Sequence, residues 1–267
     1  MDEKIQKSLA SMRIASPREV ATWIVSRGNP YTRETATTGI RVSSTDKIEI
    51  DGKPVGKARR SDVMRVLIYH KPIDEICTRN DPQGRPTVFE KLPKLHNSRW
   101  IMIGRLDINS SGLLLFTNHG ELAHRLMHPR YQIEREYAVR VLGNVTQETL
   151  TTLQSGVELE DGKASFESIV DGGGEGANHW YHVVLKEGRN REVRRMWEAV
   201  GHTVSRLHRI RYGSVSLPRS VRAGHFMDLE PAAVNELQNL VGLKEKIKPA
   251  TTKRHQHKPA RRRRQTR

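Results

Sequence analysis

The sequence predicts an α+β fold, a mixed sheet with helices around it, preceded by a small module of its own. Three observations carry this expectation. Strand-length apolar or alternating runs recur along most of the chain. Amphipathic helical stripes fall between some of these runs but not all, so the strict strand–helix alternation of a doubly wound sheet is missing. A polar, basic stretch, Gly56-Lys57-Ala58-Arg59-Arg60-Ser61, divides the first 56 residues from the remainder. The organisation expected is a module at 1–56, a linker at 57–62, a main domain at 63–243 and a basic tail at 244–267.

In the first module, Ile5, Leu9 and Met12 have the spacing of one helix face. Ser16-Pro17-Arg18-Glu19 reads as a second helix start, with Ser16 as N-cap, Pro17 in the first turn and Glu19 completing a capping box. Val20, Trp23 and Ile24 supply its buried stripe. Ile40 to Ile50 is strand-rich and closes on the turn pair Asp51-Gly52.

In the main domain, Val66 to Tyr69 is a strand and Asp81 to Pro86 a loop. Leu113 to Phe116 is a buried strand, followed by a helix from about Gly120 to Met127 that stops near Pro129. Tyr137 to Val141 alternates as a strand does, and Thr146 to Leu153 is helical. Gly172-Gly173-Gly174 predicts a flexible loop before a strand from Trp180 to Leu185. Val193, Met196, Trp197 and Val200 fall at i, i+3, i+4 and i+7 of an amphipathic helix. Val204 to Tyr212 is a further strand and Ala232 to Val241 the last helix.

At 267 residues the chain is long enough to bury a sizeable core, with 36% apolar residues to fill it. No run approaches the roughly 20 apolar residues of a membrane-spanning helix, and Met1-Asp2-Glu3-Lys4 lacks the apolar core of a signal peptide, so a cytoplasmic location and no membrane partner are expected. A single cysteine, Cys77, excludes an intramolecular disulfide and a multi-cysteine zinc site. The net charge of +16 points to a polyanion, and it is uneven: residues 244–267 hold eleven Lys/Arg against one acid. That tail ends Arg261-Arg262-Arg263-Arg264 and has no apolar periodicity, so it is expected to be disordered and to add non-specific RNA affinity.

Three segments hold residues suited to chemistry. Gly104-Arg105-Leu106-Asp107 leads into Asn109-Ser110-Ser111-Gly112 and then an apolar strand, which places one carboxylate at a strand mouth beside an arginine. Asp107 is there either as an ordinary turn residue or as a reactive group. Tyr137 stands in a strand, where a tyrosine is commonly core. The apolar stripe of the helix after Glu187-Gly188-Arg189-Asn190 leaves Arg191, Arg194 and Arg195 on or beside the opposite edge, as a solvated face or with one arginine turned in to a buried carboxylate. No metal site is expected: His124 and His128 are spaced i, i+4, but the run His-Arg-Leu-Met-His lacks the glutamate of the zinc-protease motif. No phosphate loop or dinucleotide fingerprint occurs.

Taken in order, these segments, with Glu134 to Val139, Glu187 to Met196 and Val204-Ser205-Arg206-Leu207-His208-Arg209-Ile210-Arg211-Tyr212-Gly213, resemble the pseudouridine synthases that modify ribosomal RNA. The resemblance implies an α+β catalytic domain with a central cleft behind an S4-like RNA-binding module, and isomerisation of uridine without cofactor or metal. It makes Asp107 the nucleophile or proton-shuttling acid and Tyr137 the wall against the uracil and a candidate base. It pairs Arg194 with Asp107, puts Leu207 in the uracil pocket, lets Arg105 fill the gap left in the RNA stack, and adds Arg191 and Arg209 as substrate-binding residues. The implied partner is 23S ribosomal RNA or a large-subunit precursor, met by a monomer. Two departures stand out: Asn29 to Ala36 replaces the usual S4 strand and turn, and His119 stands where an acid is usual. With nine Lys/Arg against seven Asp/Glu, residues 1–56 are weakly charged for an RNA-binding module. The competing readings are a non-catalytic RNA-binding assembly factor and a carboxylate-pair glycosidase, the latter needing a second acid facing Asp107.

Overall fold

The computed structural model describes residues 3–11, 19–22, 24, 39–43, 46, 48–50, 53–54, 63–95, 98–174 and 177–243. The expectations placed on Met12, Trp23, the Ser16-Pro17 helix start, the 56–62 connector and the tail with Arg261, Arg262, Arg263 and Arg264 lie outside these residues.

The N-terminal module has its own small core. Ile5 and Leu9 of α1 (Ile5–Ser11) are buried with Val20, Ile24, Val42 and Ile48. Strand β1 (Glu3–Lys4) pairs antiparallel with β2 (Arg41–Val42), and β3 (Glu49–Ile50) with β4 (Lys53–Pro54). The second pairing joins Ile50 to Lys53, and the expected Asp51-Gly52 turn itself lies outside the described residues.

The main domain is built on a nine-stranded mixed sheet. Its strands are β5 (Val66–Lys71), β6 (Ile101–Ile103), β7 (Ser111–Thr117), β8 (Arg135–Leu142), β11 (Ser168–Gly173), β12 (Asn178–Leu185), β13 (Thr203–Tyr212), β14 (Val215–Ser216) and β15 (Phe226–Asp228). Strands β9 (Val157–Leu159) and β10 (Gly162–Ala164) form a separate hairpin. The α-helices of this domain are α2 (Gly120–Met127), α3 (Gln147–Ser155), α4 (Glu192–Ala199) and α5 (Pro231–Leu240).

Sequence patterning follows layer by layer. The unbroken apolar runs of β5 and β7 are covered on both faces. Val66, Ile68, Leu113 and Leu115 pack with Leu122, Leu126, Val234 and Leu237 of α2 and α5, while Leu67, Tyr69, Leu114 and Phe116 pack under Val88 and Trp100. Strand β8 alternates, and one face alone is buried: Tyr137, Val139 and Val141 meet Val193, Met196 and Trp197 of α4. The other face of β8, with its neighbours β12 and β13, stays open.

The sheet also contains a fork. Along one edge of β7, the distal residues Leu115 to Thr117 pair antiparallel with β6, whereas the first residues, Ser111 and Gly112, pair parallel with His208 and Arg209 of β13. Strands β6 and β13 thus take successive places beside the same strand, and the chain from Gly104 to Ser110 leaves the sheet where they part. Gly112 makes the parallel contact possible. A Cβ there would lie 2.2 Å from the Arg209 carbonyl oxygen, and φ is +107°. Gly112→Ala is expected to cost about 3 kcal/mol and to lower the melting temperature by roughly 6–12 °C, read by calorimetry.

One expected element differs. Gly172 and Gly173 belong to β11 rather than to a loop: Gly173 pairs with Trp180 of β12, and Gly172 is the extra residue of the bulge between Asp171 and Gly173. Glycine is needed there for close approach: a Cβ on Gly172 would come within 3.2 Å of Trp180 and His182.

Candidate active site

The fork opens into a cavity of about 650 Å³. Of the site residues expected from sequence, Asp107, Tyr137, Arg105, Leu207, Arg191 and Arg209 all line it. Asp107 and Arg105 come from the loop after β6, Tyr137 from β8, Leu207 and Arg209 from β13, and Arg191 from the turn into α4. Arg105 and Arg191 are exposed at the rim, while Tyr137 and Leu207 are buried in the wall.

Asp107 begins a tight turn, its carbonyl accepting the Ser110 N–H at 3.1 Å. Its half-buried carboxylate has no hydrogen bond or ion pair to any described residue. The Tyr137 hydroxyl is likewise without a partner among the described residues.

Arg194 is turned inward, as one of the two readings of its helix has it, but its direct partners are not the expected one. It is buried, 6% exposed, and it does not line the cavity. No direct ion pair joins it to Asp107. Its Nη1 donates to the Val204 carbonyl at 2.7 Å and its Nη2 to the Asn109 carbonyl at 3.1 Å, so it holds the Asp107 turn by the main chain from behind. Burial and the Arg191 charge pull the guanidinium below its ordinary pKa, offset in part by longer-range attraction to Asp107. Arg195 instead forks onto Asp161, with both contacts at 2.9 Å.

Several residues in the wall or buried behind it escaped the sequence reading. Lys71, fully buried, donates to the carbonyls of Pro72 and Ser110, both at 2.8 Å, and faces that of Ile108 at 3.4 Å. It holds the Asp107 turn by carbonyls other than the one Arg194 takes, and burial lowers its pKa. Arg135 donates to the Lys186 carbonyl at 2.6 Å, and its guanidinium and that of Arg209 stand over the Tyr212 ring at 5.1 and 5.2 Å. Arg209 is tied to the Leu113 carbonyl at 2.7 Å. The period of β8 could have disclosed Arg135, since it shares the inward face with Tyr137.

Glu192 is a second carboxylate in the wall, its pKa raised by burial. It accepts the Arg189 N–H at 3.0 Å and so serves the start of α4. Leu106 donates its N–H to the Cys77 sulfur at 3.4 Å, and burial pushes that thiol up. His119 caps α2, its Nδ1 accepting the Leu122 N–H at 3.2 Å, which is the task an acid could perform there. No cluster of three or more metal-ligating side chains occurs among the described residues.

Asp107 and Tyr137 thus share one cavity at the fork of the sheet with Arg105, Arg135, Arg191 and Arg209. Residues 65–199 match the RNA pseudouridylate synthase family, and the chain belongs to it. It is an RNA-modifying isomerase. Over 264 residues it is 49% identical to ribosomal large subunit pseudouridine synthase B of Pseudomonas aeruginosa, across 98% of this chain and 68% of that one. Over 246 residues it is 53% identical to the protein of the same name from Salmonella typhimurium, across 91% and 84% of the two chains. A crystal structure of a pseudouridylate synthase superposes with a TM-score of 0.62 at 22% identity, over 88% of this chain and 99% of that one, a likeness of fold.

Proposed function

We propose that the protein isomerises a uridine of large-subunit ribosomal RNA to pseudouridine, with Asp107 as the reacting carboxylate. The observation that carries this reading is the convergence of Asp107, Tyr137, Leu207 and Arg209 on one cavity from segments far apart in the chain. The isomerisation breaks the C1′–N1 bond, forms C1′–C5, releases the C5 proton and protonates N1. Its reacting atoms are stacked inside folded RNA, so the base must first be extruded at a cost of a few kcal/mol.

Each wall residue then has a task. Tyr137 faces the extruded uracil, a contact of the kind worth roughly 1–3 kcal/mol per base, and Leu207 closes the apolar side. Arg105, exposed at the lip, fills the place the base has left, and Arg191 and Arg209 bring positive charge to the sugar–phosphate. Arg194 acts on Asp107 through the Asn109 carbonyl and so positions it. Residues 1–56 serve as an S4-like module, 63–243 as the catalytic domain and 244–267 as an electrostatic arm, in a monomer acting in the cytoplasm.

The test uses 23S ribosomal RNA transcribed with uridine tritiated at C5. Wild-type protein is expected to release tritium stoichiometrically with one modified position, located by chemical mapping. Tight binding without release would establish an assembly factor in its place.

A further inference from the structure

The open face of the sheet, on the side of β8 away from Tyr137, carries a row that the reaction does not use. Trp180 of β12 pairs with Arg140 of β8, which pairs with Arg206 of β13. The outward side chains Trp180, His182, Ala138, Arg140, Arg206 and His208 are all at least partly accessible.

Two like charges directly opposite one another across strands destabilise a sheet. Here a bulge produces the conflict. Val204 pairs with Val141 and Arg206 with Arg140, so Ser205 is the extra residue, and the insertion turns Arg206 out beside Arg140. Ser205 also fixes the row. Its hydroxyl accepts from Arg140 Nε at 2.9 Å and donates to the Arg140 carbonyl at 3.0 Å. The Arg140 guanidinium stands 6.0 Å from the Trp180 ring centre. Arg206 is exposed and has no partner among the described residues. The Gly172 backbone lies so close to Trp180 and His182 that a Cβ would meet them, and glycine adds no side chain to the strip there. The acid on this face, Glu136, is held by Arg211 at 2.7 Å, with His182 at 3.6 Å, so it does not neutralise the row. The next pairs along the strands, His182–Ala138 and Ala138–His208, set a small residue between two imidazoles as the floor of a shallow strip. His208 is tied to the Ser111 hydroxyl at 2.9 Å, and burial, then the neighbouring His70, hold its pKa down.

We propose that this row is a second RNA-binding site, in which Arg140 and Arg206 take a phosphodiester of the substrate RNA and Trp180 stacks on an unpaired base beside it. It rests on the reading of the protein as an enzyme of long RNA, because a strand reaching this face must pass around the sheet from the cleft. Charge complementarity selects the occupant: an anion between two guanidiniums relieves their repulsion, and an aromatic beside them matches the alternation of phosphate and base.

The experiment compares Arg206→Gln, Trp180→Leu and, as a neutralisation control outside the row, Arg219→Gln at an exposed arginine between β14 and β15. Each is titrated with transcribed 23S ribosomal RNA over a salt series, with circular dichroism melts in parallel. For Arg206→Gln, the slope of log K against log salt is expected to become shallower by about 1, as removing the cation opposite a single phosphate requires. For Trp180→Leu, affinity is expected to fall about tenfold with the slope retained. Arg219→Gln is expected to follow wild type. The proposal is overturned if Arg206→Gln binds as wild type, if Arg219→Gln changes the slope equally, or if Arg206→Gln abolishes a self-association seen by sedimentation without RNA and leaves RNA binding intact. Because Arg206 is exposed, the test survives misfolding of the Trp180 variant. Binding is read independently of tritium release, so failure of the row and failure of the enzymatic reading are distinguishable.

Discussion

Asp107→Asn is expected to reduce tritium release from C5 by about 10⁴-fold or more, the scale on which loss of a reacting group acts. Binding of 23S ribosomal RNA should stay near wild type. The two readouts separate because the Asp107 carboxylate makes no hydrogen bond or ion pair to a described residue, so the amide leaves no buried partner stranded. What the folded state loses is longer-range attraction to Lys71 and Arg194, and the melting temperature should move little. Asp107→Glu refines the test. It keeps the charge but advances the carboxylate by one methylene, and a displacement of about 1 Å at a reacting centre costs about 10²-fold. Turnover of Asp107→Asn within tenfold of wild type would remove the aspartate from the chemistry.

The Glu192 side of the cavity bears on the glycosidase alternative. A carboxylate pair needs a second acid free to act on substrate. Glu192 is present in the wall, but its carboxylate is spent on the Arg189 N–H at the start of α4. Of the two described carboxylates lining the cavity, Asp107 is the one without a hydrogen bond or ion pair to a described residue.

Strand and helix positions were legible where periodicity was strong. The double-sided burial of β5 and β7 appears as unbroken apolar runs, and the open face of β8 as strict alternation. The α4 stripe marked which side of that helix meets the sheet. The glycine run at 172–174 misled because glycine marks close approach as readily as flexibility, and in β11 it is the proximity of Trp180 that requires it. The site was legible by resemblance and not by spacing. Asp107 and Tyr137 stand far apart in the chain and meet because β13 displaces β6 beside β7, a long-range pairing that leaves no local trace. For Arg194 the resemblance named the residue but not its bonds: the carbonyls that draw it inward belong to the Asp107 turn and to β13, which the helical period does not reveal. Lys71 gave no signal either, since a lysine ending a strand reads as a solvated residue.

Lys71 and Arg194 together yield the second large effect. Each carbonyl of the turn from Ile108 to Ser110 faces one of these two cations, Ile108 and Ser110 facing Lys71 and Asn109 facing Arg194. Such a clamp holds a carboxylate in place without engaging the carboxylate itself. Lys71→Met preserves the length and apolar stem of the side chain but strands buried acceptors, at about 1–3 kcal/mol each. It is therefore expected to lower kcat by about 10²-fold through displacement of Asp107, with KM for 23S ribosomal RNA little changed. Arg194→Met should do the same. Because both act on one turn, the double variant is expected to fall well short of the product of the two single effects. Full multiplicativity would show that they act on different elements. A pH readout separates the clamp from simple packing. Burial lowers the folded-state pKa of Lys71 below its unfolded value, so between the two the unfolded chain binds more protons and stability rises with pH. Wild type should therefore gain stability through the alkaline window just below the ordinary lysine value, and Lys71→Met should lack that gain. A variant that keeps the gain would show that the buried cation facing these carbonyls is not the source of the pH dependence.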